Sequence, residues 1–136
     1  RVRDKRVVDL GTGSGIVALA AARAGAAEVI AIDLDPVSRS AARLNALHNQ
    51  LDITTTATAP EQWDLMLAAD VLYETGLRDW VMTVARSQAP ILLADPQRTG
   101  TPTVEFPILA DIEARTFPDV DSPQQKAVLH EIPKRV

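Results

Sequence analysis

The sequence predicts an α/β fold: a doubly wound, mostly parallel sheet with helices on both faces and an antiparallel hairpin at its C-terminal end. Three observations carry that prediction. Short apolar runs of strand length alternate with apolar residues at helical spacing as far as Asp95. A glycine-rich stretch, Gly11-Thr12-Gly13-Ser14-Gly15, joins the first apolar run to the first helical pattern. Beyond Asp95 the texture changes: five of the nine prolines (Pro96, Pro102, Pro107, Pro118 and Pro123) fall between 96 and 123, which argues against a long regular helix there.

The elements follow in order. Arg6 to Leu10 reads as a buried strand, and the Ala-rich segment from Ile16 to about Ala24 as a helix that Gly25 ends. Glu28 to Ile32 is a second buried strand, closed by Asp33. Asp35 has the chemistry of an N-cap, with Pro36 at the first helical position. Val37, Ala41, Leu44 and Leu47 then predict a helix that lays this stripe on the sheet and shows Arg39 and Arg43 to water. A short third strand is expected within Asp52 to Thr58 and a fourth over Trp63 to Ala68. Leu77, Trp80, Val81, Val84 and Ala85 mark an amphipathic helix that Pro90 ends, and Ile91 to Ala94 a fifth strand. Ile112 to Phe117 and Ala127 to Ile132 complete the pattern as the hairpin, turning at Asp121 to Pro123.

Composition narrows the class. The length of 136 residues suits one domain, spanning 1–136, with a sizeable core. Because it begins at Arg1 and not Met, the chain is expected to lack an N-terminal segment. With no cysteine there is no disulfide frame, thiolate zinc site or thiol nucleophile. The net charge of −4 argues against a nucleic-acid partner, and the apolar runs are too short for a membrane span. No signal peptide is visible, so a soluble cytoplasmic protein is expected, or a mitochondrial matrix one in a eukaryote. His48 at a helix end and His130 in a late strand read as structural, with no metal constellation. Arg1, Arg3, Lys5 and Arg6 read as a solvated basic edge.

The sharpest chemical signal is Val8-Asp9-Leu10-Gly11-Thr12-Gly13-Ser14-Gly15. Glycines let the backbone turn tightly and let a ligand approach a helix N-terminus. The spacing is GxGxG, not the GxGxxG of dinucleotide folds. Asp9, two residues before the first glycine, would repel a pyrophosphate but suits an ammonium. Asp33 ends the second strand, where a carboxylate can accept both ribose hydroxyls. A ligand with a cationic amino-acid end and an adenosine fits this pattern: S-adenosyl-L-methionine, leaving S-adenosyl-L-homocysteine as product. Asp9, Gly11, Thr12, Gly13, Gly15, Asp33 and Leu34 are the candidate cofactor residues. Two alternatives stand beside this: Asp33 as a helix cap, and Asp9 as a carboxylate satisfied by local N–H groups. The loop from Ala57 to Gln62 is a candidate for adenine contacts, and Trp63 reads as a packed strand residue before an adenine platform.

The run from Val7 to Asp35 resembles motif I of the class I, seven-β-strand S-adenosylmethionine-dependent methyltransferases, which have a Rossmann-like sheet. Asp70-Val71-Leu72-Tyr73 after the fourth strand and Asp95-Pro96-Gln97-Arg98 after the fifth resemble the family 16 protein-lysine methyltransferases. Within that family the similarity is to the group that methylates the electron-transfer flavoprotein β-subunit, and to relatives called nicotinamide N-methyltransferase-like. The resemblance covers the chain to about Arg98. It implies N-methylation of lysine side chains in a protein substrate. It places Asp70 beside the transferable methyl group, as a cofactor and catalytic residue, with Tyr73 flanking the same pocket. Helix capping by Asp70 and helix packing by Tyr73 are the structural alternatives. Asp95 and Arg98 are either a substrate-contacting pair or a local turn. A small-molecule N- or O-methyltransferase, or a binding module without catalysis, would use the same cofactor site.

Overall fold

The computed structural model describes residues 1–97, 104–114 and 125–135. Its elements are β1 (Arg6–Leu10), α1 (Ile16–Arg23), β2 (Glu28–Ile32), α2 (Pro36–His48), β3 (Thr54–Thr56), β4 (Leu65–Ala69) and α3 (Thr75–Trp80). A π-helical turn (Val81–Ala85) runs on from α3 into α4 (Arg86–Gln88), followed by β5 (Ile91–Asp95), β6 (Ile108–Ala114) and β7 (Gln125–Ile132). The strands form one sheet in the order β3-β2-β1-β4-β5-β7-β6. The first five are parallel, and β7 runs antiparallel to both β5 and β6. The doubly wound sheet with a terminal hairpin is the predicted one.

The near-continuous apolar strands are explained by burial on both faces. Successive residues feed opposite layers. Val7, Val29, Ala31, Leu65 and Leu67 pack with Ala18 and Ala21 of α1, whereas Val8, Leu10, Ile30, Ile32 and Met66 pack with Val81 and Ala85. Helix ends use the expected devices. The Asp35 carboxylate accepts the Val37 N–H at 2.9 Å, with Pro36 opening α2. After α1, the Gly25 and Ala26 N–H groups close onto the Ala22 and Ala21 carbonyls at 3.1 and 3.2 Å.

The orientation of α2 differs from the sequence reading. Val37, Leu44 and Leu47 are 73%, 66% and 76% exposed, and the helix instead buries Ala42 and Ala46. The reason is close approach: a Cβ built on Gly15 would lie 3.0 Å from the Ala42 Cβ, so only a small residue fits where α2 meets the start of α1. Arg39, expected in water, is half-buried and donates to the Asp33 and Leu34 carbonyls at 2.7 and 2.9 Å.

Smaller differences lie further on. Trp63 precedes β4 and is buried in the core, as a packed residue should be. The strand β6 begins at Ile108, four residues before the expected start, directly after Pro107, a position where a missing N–H costs no ladder bond. The expected Asp121–Pro123 turn and Phe117 lie outside the described residues. Arg1 and Arg6 of the basic edge pair with Glu131 and Glu28, and His130 is buried with Nδ1 3.0 Å from the Phe106 carbonyl.

The burial pattern makes a paired prediction. Leu93 is fully buried, so Leu93→Ala should lower the unfolding free energy by about 2–5 kcal/mol. The outward-facing Leu47, replaced by alanine, should change it by less than about 0.5 kcal/mol. Urea unfolding of both variants checks the assigned face of α2.

Candidate active site

The parallel sheet changes direction of winding between β1 and β4, and a crevice opens beyond the carboxyl ends of the strands at such a point. Here it is a cleft of about 690 Å³ whose walls include Leu10, Gly11 and Gly13 from the glycine loop, Ile32, Asp33 and Leu34 from the end of β2, and Asp70, Val71 and Tyr73 after β4. Residues separated by some sixty positions in sequence therefore share one site.

The loop is built around a buried carboxylate. Asp9 is 1% exposed and accepts the Thr12 hydroxyl at 2.6 Å and the Ala18 N–H at 3.0 Å. It does not line the cleft, so its observed contacts are those of the locally satisfied alternative, not of a direct ammonium ligand. Thr12 is also buried, its N–H donating to the Ile32 carbonyl at 2.9 Å, which ties the loop to β2. Gly11 has φ +67°, and a Cβ there would meet Val71 Cγ1 at 3.0 Å. Gly15, at φ +89°, is N-cap of α1.

Asp33 spans the two loops of the site. One carboxylate oxygen accepts the Gly13 N–H at 2.9 Å and the other the Asp35 N–H at 3.0 Å. Capping of α2 falls to Asp35, so Asp33 is left as a half-buried carboxylate at the cleft, with lone pairs beyond those two bonds. Leu34 beside it is 84% exposed.

Asp70 sits at φ +55°, in the left-handed region that aspartate tolerates better than most residues, and its N–H donates to the Ala94 carbonyl at 3.0 Å. Capping does not explain it. The N-cap of α3 is Glu74, whose carboxylate accepts the Gly76 and Leu77 N–H groups at 3.2 and 2.6 Å. Tyr73 is 67% exposed at the cleft wall, not packed beneath the helix. Asp95 is buried at the end of β5, outside the cleft lining, and accepts the Gln97 N–H at 2.9 Å as in a local turn. Arg98 lies outside the described residues.

Several wall residues escaped the sequence reading: Ser38, Val71, Glu74, Leu77 and Trp80. Val71 and Glu74 flank the Asp-x-x-Tyr signal, but an apolar or capping residue carries no mark of a ligand. Ala57 and Ala59 line the cleft within the loop singled out for adenine. Among the described residues no group of His, Asp or Glu is arranged to hold a metal ion.

Burial pushes the Asp9 carboxyl up from 3.8 to about 6, against the opposing hydrogen bonds from Thr12 and Ala18, with the Asp33 charge adding to the rise. Between those values the folded protein keeps a proton that the unfolded chain has released. This group's stabilisation is therefore complete below 3.8 and is lost as pH rises through 6, by about 3 kcal/mol. Asp9→Asn cannot ionise, so its stability relative to the parent should improve from about pH 4 to about pH 7 in urea titrations.

Comparison with known proteins agrees with this geometry. The family model described as ribosomal protein L11 methyltransferase (PrmA) matches residues 1–90. A ribosomal protein L11 methyltransferase of Symbiobacterium thermophilum is 52% identical over 68 residues, covering 46% of this chain and 22% of the relative. The electron transfer flavoprotein beta subunit lysine methyltransferase of Xenopus laevis is 36% identical over 110 residues, covering 71% of this chain and 44% of the relative. The chain thus spans less than half the length of these relatives. Among solved structures, ribosomal protein L11 methylase from Lactobacillus delbrueckii subsp. bulgaricus superposes with TM-score 0.71 at 26% identity, covering 98% of this chain and 72% of the other. Magnesium protoporphyrin IX methyltransferase from Synechocystis PCC 6803 shares the fold, with TM-score 0.74 at 17% identity and the same coverage. With the glycine loop, the sheet order and the family match in agreement, the chain belongs to the ribosomal protein L11 methyltransferase (PrmA) family of class I S-adenosylmethionine-dependent methyltransferases.

Proposed function

We propose that this chain binds S-adenosylmethionine in the cleft and methylates the side-chain amine of lysine in a protein substrate. The observation that carries the proposal is the presence of Asp70 in the same cleft as Gly11, Gly13 and Asp33, with the capping role taken by Glu74. Relatives named for lysine methylation of the electron transfer flavoprotein beta subunit, and others named for ribosomal protein L11, support a protein acceptor.

The residues present fit the cofactor. The glycine loop offers backbone where a Cβ at Gly11 would crowd Val71, and Asp33 offers carboxylate lone pairs to the ribose hydroxyls. Leu34, Ala57 and Ala59 supply apolar surface. When bound, S-adenosylmethionine supplies a methyl group on a sulfonium, a good leaving group.

The protein's work is then to align a neutral amine and to exclude water. Asp70 accepts a hydrogen bond from the incoming amine, aims its lone pair, and stabilises the positive charge that grows on nitrogen. Carboxylates are far weaker bases than alkyl amines and so make poor acceptors for a lysine proton. The amine therefore arrives after losing its proton to solvent. Tyr73 borders the acceptor side of the cleft.

Two measurements test this. Asp33→Ala removes charge-assisted bonds worth roughly 1.5–3 kcal/mol each, so calorimetry with S-adenosylhomocysteine should show affinity at least about tenfold weaker. Unchanged affinity in a folded variant removes Asp33 from the cofactor site. Asparagine tolerates the left-handed region as aspartate does, so Asp70→Asn keeps the backbone while discarding the charge. Single-turnover transfer of labelled methyl to lysine-containing ribosomal protein L11 or electron transfer flavoprotein should slow by about 10²–10³, with cofactor affinity held within severalfold. Transfer to small amines but to no protein points to a small-molecule enzyme. Cofactor binding without any turnover points to a binding module.

A further inference from the structure

We infer that the outer edge of β6 docks an extended segment of the protein substrate, one in which lysine or arginine alternates with apolar residues, and holds it as an added strand of the sheet. This rests on the reading of a protein acceptor above. It adds the surface that selects the acceptor and the class of sequence selected.

The edge is long and uncovered. β6 is the last strand of the sheet and pairs on one side only, with β7. Every residue from Pro107 to Glu113 is exposed, and two of them, Ile108 at 62% and Ile112 at 40%, are large and apolar. A strand edge in this state offers its outward N–H and C=O groups to any other extended chain. The register fixes where its charges stand. Asp111 and Asp95 both lie opposite Val128, so Asp111 is level with the carboxyl end of β5, and Ile112 and Glu113 extend beyond it. Both β5 and β6 run antiparallel to β7, so β6 points the same way as β5, toward the edge of the sheet that carries Asp70. Asp111 faces Val128 and Glu113 faces Lys126, and neither acid closes an ion pair among the described residues.

Charge chooses the occupant. A second copy of this chain is the rival for a free edge, and pairing β6 with itself along its whole length is centred on Asp111. That register sets Asp111 opposite the same residue of the other copy, and like charges directly across a ladder are destabilising. A bulge between Ile108 and Ala110 disturbs the apolar half of the edge. The two carboxylates that repel a second copy attract a cationic strand, so one feature rejects self-pairing and admits a basic partner. Side chains alternate along a strand, which dictates the partner's pattern. Lysine or arginine lies across from Asp111 and Glu113 on one face, and an apolar residue across from Ile112 on the other. The docked strand stands four ladder steps from β4, roughly 19 Å, a span that about six extended residues cover to bring an acceptor lysine to Asp70.

Hydrogen exchange and kinetics test this together. The probe is a synthetic peptide of alternating lysine and valine, with a glutamate–valine peptide as control. The lysine peptide should slow amide exchange across residues 108–113, and added salt should weaken its binding. Asp111→Lys combined with Glu113→Lys should weaken it about tenfold or more and turn the preference toward the glutamate peptide. In methyl transfer to ribosomal protein L11 or electron transfer flavoprotein, the same double variant should raise KM about tenfold. Its kcat and its affinity for S-adenosylhomocysteine should stay those of the parent, a split that damage to the fold or the cleft does not give. If the parent methylates either protein and the variant's KM is unchanged, β6 is not the docking surface and the protein acceptor stands. Turnover on small amines alone overturns the reading of a protein acceptor and this inference with it. Exchange at 108–113 that the lysine peptide leaves unaltered overturns the inference by itself. Exchange there that slows when the protein alone is concentrated makes a second copy the occupant and also overturns it. If the double lysine variant does not fold, Asp111→Asn with Glu113→Gln replaces it, with KM expected to rise severalfold.

Discussion

A single buried carboxylate underlies the site. Asp9, at the end of β1, draws the Thr12 hydroxyl and the Ala18 N–H onto one oxygen, and so closes the glycine loop over the strand that leads into it. The chain must reverse between a parallel strand and its helix while keeping its backbone open to a ligand. Glycine alone permits such a turn but does not select it, because glycine is free in the unfolded chain too. The aspartate selects it. Its discomfort in the folded state is what a group placed for geometry and not for stability would show: desolvation holds its carboxyl near 6 in spite of two hydrogen bonds.

From that loop the order of the sheet does the rest. Because β1 lies between β2 and β4, the glycine loop, Asp33 and Asp70 emerge side by side at one edge, although the chain has wound outwards in both directions between them. The Gly13–Asp33 hydrogen bond joins the first two, and Arg39 braces the second from below through the Asp33 and Leu34 carbonyls. Asp70 is fastened on its other side to Ala94 of β5. The glycine loop, Asp33 and Asp70 are each also tied by a backbone hydrogen bond to a neighbouring strand, at Ile32, Thr56 and Ala94.

How much of this was legible in the sequence depends on how local its cause is. The strands of the parallel core, the caps at Asp35 and Gly25, and the glycine loop arise from residues close in sequence, and they were readable. The face of α2 was not. Its three large apolar residues looked like the buried stripe, but what decides is the lack of room beside Gly15, a fact about a residue more than twenty positions away. Likewise Asp9 and Asp70 were each open between a structural and a ligand role in the sequence; folding puts the Thr12 hydroxyl and the Ala18 N–H on the first, and Glu74 takes the cap of α3 in place of the second. The walls at Val71, Leu77 and Trp80 were invisible as a site because ordinary core residues make them.

The π-helical turn at Val81–Ala85 also bears on how this crossover can change over time. The strands β4 and β5 are locked in register by their ladder, so the connection between them cannot shift either strand without turning its side chains to the wrong face. A helix that carries its surplus residue as a local bulge escapes that restriction. Insertions or deletions in the crossover can be absorbed where they arise, and the front of the helix can rotate by a residue's worth of angle while the sheet stays still. The wall of the cleft and the frame of the fold are in this way separately adjustable.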